Sequence, residues 1–84
     1  MENNGQTSYL EVRDIFLASY LYASNIVSLI GKRRLPTGEV LFQFDPKHKA
    51  DELVTLYWSL KAPTIQPKLL FSAQRDLKDM IFGG

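Results

Sequence analysis

The segment from Ile15 to Ala23 constrains this 84-residue chain more than any other. Ile15, Phe16, Leu17, Ala18, Tyr20, Leu21, Tyr22 and Ala23 are all apolar or aromatic, and only Ser19 interrupts them. At 3.6 residues per turn these side chains point in every direction around a helix. Such a helix has no face to offer to water, so it belongs in the middle of a domain or at a subunit interface. Asp14 stands where an N-cap acceptor or first-turn acid is wanted, and Asn25 where a left-handed residue closes a helix. The first helix is therefore expected from Arg13 or Asp14 to Ser24. Phe16, Leu17, Tyr20 and Leu21 are expected to be mostly inaccessible.

Two β-rich runs follow, Ile26-Val27 with Leu29-Ile30, and Val40 to Phe44. Leu35-Pro36-Thr37-Gly38 between them predicts a hairpin turn of the type I plus Gly-bulge kind. Pro36 presets φ, and Gly38 accepts a left-handed conformation. Pairing Leu35 with Gly38 sets Gly31 opposite Phe42, a register that a bulge can shift by one residue. Asp45-Pro46 then opens a helix, with Asp45 as N-cap and Pro46 as first helical residue. Ala50, Leu53, Val54, Tyr57 and Leu60 line its inner side. Pro63 and Pro67 break it, and Ile65 between them suits a short extended segment. A last helix runs from about Pro67 to Phe82, with Leu69, Leu70, Ala73, Leu77, Met80 and Ile81 facing the core. The fold expected is α+β, a single small domain in the order helix, antiparallel hairpin, helix, helix. It spans residues 9–84, behind a polar lead-in at 1–8 that reads as disordered.

Asp14-Ile15-Phe16-Leu17-Ala18, Val40-Leu41-Phe42-Gln43-Phe44-Asp45, Tyr57-Trp58 and Leu77-Lys78-Asp79-Met80-Ile81 occur in that order. Together they resemble a family of short bacterial and phage-type proteins catalogued only as a domain of unknown function. The resemblance covers about residues 9–82. It implies a small cytoplasmic α+β domain and brings no activity, ligand or catalytic residue. The chain departs from the pattern at Asn25, where Gly is usual, and at Lys47-His48-Lys49, where acids are usual.

The chemistry-bearing residues are few. The chain has no Cys, which removes disulfides, thiolate metal sites and a thiol nucleophile, and favours a reducing compartment. The N-terminal residues carry no secretory pattern. The uncharged run from Ile15 to Ile30 contains Ser19, Ser24, Asn25 and Ser28 and falls short of the roughly 20 apolar residues of a membrane span. His48 is the single histidine. It sits between two lysines in a first helical turn and reads as solvated. Asp51 and Glu52 are adjacent on a helix and diverge, and Asp76 and Asp79 do not converge with them. The expectation is no enzyme, no cofactor, no metal and no small-molecule substrate.

Ten basic against nine acidic side chains exert no strong field. The positive charge is nevertheless uneven. Lys32, Arg33, Arg34, Lys47 and Lys49 face only Glu39 and Asp45 between residues 31 and 49. These five are the candidate contacts for an anion or for weak nucleic-acid binding. Phe71, Arg75, Lys78 and Phe82 recur at i, i+4, i+7 and i+11 beside the core stripe of the last helix, a line that suits either stacking on a single nucleic-acid strand or, more often, a satellite cluster against a neighbouring helix or subunit. Tyr20, Tyr22, Trp58, Phe71 and Phe82 are the candidate interface residues. The function expected is a protein–protein interaction module, a homodimer or small adaptor, with nucleic-acid binding as the alternative.

Overall fold

The structure, a computed structural model, describes residues 8–83. Apart from Ser8, the lead-in expected at 1–8 lies outside the described residues. The elements are β1 (Leu10–Val12), α1 (Ile15–Ser24), β2 (Ser28–Arg34), β3 (Val40–Asp45), α2 (Lys47–Trp58) and α3 (Pro67–Gly83). The α+β class and the order helix, hairpin, two helices hold. The two-stranded sheet does not, because β1 adds a third strand.

The sheet is antiparallel in the order β1-β3-β2. Val40, Phe42 and Phe44 are buried, and Leu41, Gln43 and Asp45 are half-buried, as befits the middle strand. β1 pairs Leu10, Glu11 and Val12 with Phe44, Gln43 and Phe42. At the hairpin the Gly38 N–H donates to the Leu35 carbonyl at 2.8 Å, and the Leu35 N–H to the Glu39 carbonyl at 2.7 Å. Gly38 has φ 95°, so the expected turn forms. Leu35 faces Glu39 rather than Gly38, however, and this moves the register by one. Gly31 lies opposite Gln43, and Lys32 opposite Phe42. The irregularity in the ladder falls between Leu29 and Gly31. No ring covers Gly31. The Gln43 side chain lies over it instead, with Oε1 2.9 Å from where a Cβ would stand.

α1 begins as the sequence predicts. The Asp14 carboxylate accepts from the Phe16 and Leu17 N–H groups at 2.8 and 3.4 Å. Asn25 closes the helix at φ 62°. Five successive residues, Leu17 to Leu21, are buried. The helix packs against α3 and also touches α2, β1 and β2. Ser19 is satisfied locally, its hydroxyl donating to the Ile15 carbonyl at 2.6 Å. Phe16 departs from the expectation: it is 63% exposed. The sheet and α3 cover α1, but the arc carrying Phe16 opens outward.

Asp45 does not cap α2. It is the last residue of β3, paired with Ser28, and Pro46 is the N-cap, with no side-chain acceptor and a cis Asp45–Pro46 peptide. The Ser8 carbonyl accepts from the Lys47 N–H at 3.0 Å and so occupies one free donor of the first turn. At the other end the Leu60 N–H donates to the Tyr57 carbonyl at 3.2 Å, and the Lys61 N–H to the Leu56 carbonyl at 2.8 Å. This is a Schellman closure with Leu60 at the left-handed position, φ 62°. Leu60 is therefore not on the core side as expected. The helix stops at Trp58, and Leu60 turns out into solvent, 93% exposed. On α3, Leu70, Ala73, Leu77, Met80 and Ile81 face inward, while Leu69 is exposed. No helix of the described residues is long and apolar enough to cross a membrane.

Candidate interaction surface

Three helices frame an uncharged cleft. Its floor is Tyr20 from α1, Tyr57 from α2 and Leu70 from α3. One arm, of about 310 Å³, runs between Phe16, Ser19, Phe71 and Gln74. The other, of about 550 Å³, runs past Trp58 and Leu60 to the connection carrying Pro63 and Ile65. Both arms share Tyr20, Tyr57 and Leu70, so they form one surface. Both arms lie between helices at the surface rather than inside the core.

The floor is rigid. Tyr20 and Tyr57 meet with ring centroids 5.6 Å apart, and Trp58 stands edge-on to Tyr57 at 5.1 Å, arrangements that suit the ring quadrupoles. The Tyr20 hydroxyl donates to the Pro63 carbonyl at 2.6 Å, which ties the α2–α3 connection to α1. Burial pushes the Tyr20 phenol above its ordinary pKa, since the charged form would be poorly solvated. Above this floor Phe16, Trp58 and Phe71 are each nearly two-thirds exposed, and Leu60 almost wholly so.

Of the five candidate interface residues, Tyr20, Trp58 and Phe71 line this surface. Tyr22 is half-buried against the core and lines neither arm. Phe82, at the far end of α3, is exposed away from both. Phe16, Tyr57, Leu60 and Leu70 also line it, although the sequence pattern places all four in the core. The available signal was an excess: more large apolar side chains on three helices than one thin core can cover.

The five basic candidates are dispersed. Lys32 and Arg34 project on the helix side of the sheet and hydrogen-bond the last carbonyls of α3. The Lys32 Nζ donates to the Met80 carbonyl, and an Arg34 NH₂ group to that of Ile81 at 2.8 Å. There they complement the negative end of the helix dipole. Arg33 points to the opposite face and grips Glu11 of β1 through two bonds of 2.9 and 2.8 Å. The Gln43 amide between them donates to the same carboxylate at 3.0 Å. These bonds hold the Glu11 carboxyl well down, to about 2, with Arg33 the largest cause. Lys47 pairs with Asp51 one turn on, at 2.7 Å, and Lys49 is exposed. The Lys47–Lys49 turn follows the end of β3 away from the hairpin tip, about 17 Å along a strand that rises roughly 3.4 Å per residue. The five therefore share neither a face nor an end. His48 is exposed, and no three metal-ligating side chains come together among the described residues.

No family model, curated protein or solved structure matches this chain.

Proposed function

We propose that the protein is a non-catalytic protein–protein interaction module whose contact surface is the cleft between α1, α2 and α3. One observation carries this reading: four large apolar side chains, Phe16, Trp58, Leu60 and Phe71, are exposed around one continuous uncharged floor. Contiguous exposed apolar patches of several hundred Å² on a small domain mark places where something docks. The chemistry available points the same way, with one exposed histidine and no cysteine. No cofactor is part of the proposal, and the absence of cysteine supports a cytoplasmic setting.

The test is a benzophenone amino acid placed at position 71 and, as control, at position 33 on the outer face of the sheet. Irradiation in cells is expected to give one discrete adduct from position 71, lost on competition with excess untagged protein, and none from position 33. Equal or absent labelling at the two positions removes this reading.

A further inference from the structure

Leu60 occupies a position that favours glycine. It has φ 62° and closes α2 in a Schellman motif, where a side chain crowds the following carbonyl. Residues held in strained conformations point to a function when nothing inside the fold explains them. Nothing inside this fold does, because the Leu60 side chain is 93% exposed. It stands at the rim of the cleft, next to Trp58.

We infer that the occupant of the cleft is a second copy of this chain, packed about a two-fold axis with Leu60 and the rings of Phe71 and Trp58 entering the partner's cleft. The inference rests on reading this face as a contact surface and names its partner. Three features select a second copy. The first is charge. Neither arm is lined by a charged side chain, although 23% of the chain is charged. A neutral face meets its own image without repulsion and has nothing to steer a charged partner. The second is shape. A two-fold interface needs a surface complementary to itself, so that residue i meets j and j meets i. Here protruding rings and an open cleft lie side by side on one face. Trp58 stands edge-on to Tyr57 and projects from the floor without needing a partner to make that contact. The third is area. Phe16, Trp58 and Phe71, at roughly 200 Å² each and nearly two-thirds exposed, present about 400 Å². Leu60 and the exposed floor add to this. Two such faces bury about 1,000 Å² or more, the size at which a specific interface begins.

Sedimentation equilibrium from about 1 to about 100 µM on the full chain, alone and as the variants Leu60→Gly and Phe71→Ser, tests the inference. The expected species is 19.2 kDa, twice the 9.6 kDa chain. Leu60→Gly is expected to weaken association roughly tenfold while raising the thermal midpoint of the dilute monomer, two changes of opposite sign that no loss of folding produces. Phe71→Ser is expected to weaken association at least as much without lowering that midpoint. A 9.6 kDa monomer throughout, or a dimer indifferent to both substitutions, overturns the inference. If the chain is monomeric while position 71 still yields a discrete adduct with a different protein, self-association falls and the contact surface stands. If neither association nor adduct is seen, both fall.

Discussion

Leu60 and Asn25 end their helices in the same left-handed conformation, each at φ 62°, yet they are not equivalent. Asn tolerates that region, whereas a branched apolar side chain there costs roughly 1–2 kcal/mol. Glycine removes the cost and returns roughly 0.5–1 kcal/mol through the entropy of the unfolded chain. Leu60→Gly is therefore expected to raise monomer stability by about 0.5–1 kcal/mol, several degrees in midpoint, and Asn25→Gly to change little; dilute urea titrations measure both. A second residue-scale prediction concerns Glu11. Its folded pKa of about 2 lies below the ordinary carboxyl value of 4.5. Between those values the unfolded chain binds more protons, so stability rises with pH. The stabilisation is complete above about 4.5 and lost as pH falls through about 2. Arg33→Ala removes the main cause. Its unfolding free energy is expected to fall less steeply than the wild type's across that window. Parallel slopes in the two pH series refute the assignment.

At the scale of elements, α1 is held at both ends and on every side but the arc carrying Phe16, and the magnitudes rank these constraints. Leu21 is fully buried, so Leu21→Ala is expected to cost about 2–5 kcal/mol. The Asp14 cap makes two bonds at a partly exposed helix end, and Asp14→Ala is expected to cost about 1 kcal/mol. Denaturant midpoints that reverse this order mean that the cap rather than the core secures the helix. The ends of α1 and the turns were legible in the sequence because they depend on neighbours within one or two turns. Asp14, Asn25, the Pro36–Gly38 turn and the proline break after α2 are all of that kind. The same local rule failed at Asp45, which pairs with Ser28 in the sheet instead of capping α2. β1 was not legible. Three residues give no periodicity, and the partner that makes them a strand, Gln43 opposite Glu11, comes 32 residues later. Phe16 was misplaced for a related reason. All-round apolarity says that a helix is enclosed but not which arc its neighbours leave open. Leu60 was misplaced because the apolar spacing continues three residues beyond Tyr57, while the helix itself stops at Trp58. Tyr20, Trp58 and Phe71 were found as surplus rings, but their convergence on one cleft depends on how three helices meet, which no local pattern encodes.

Over the whole molecule the fold keeps charged side chains out of the lining of the cleft. Arg33 and Glu11 neutralise one another on the outer face of the sheet, Lys32 and Arg34 are committed to the end of α3, and Lys47 to Asp51. The cleft between the three helices is left without a charge in its lining, and the chain as a whole carries only +1. Association through such a face draws on the removal of apolar surface from water, which screening does not touch. Association through phosphate contacts behaves oppositely. With five cations engaged on duplex DNA, the logarithmic salt slope is about −4 to −5. Self-association is accordingly expected to change less than about twofold between roughly 50 and 500 mM sodium chloride, and to strengthen in sodium sulfate, which favours apolar burial. The dimer dissociation constant measured across both salts checks this. A constant that rises steeply with chloride places the contact on charged surface, away from the cleft, and assigns Leu60 and Phe71 no part in it.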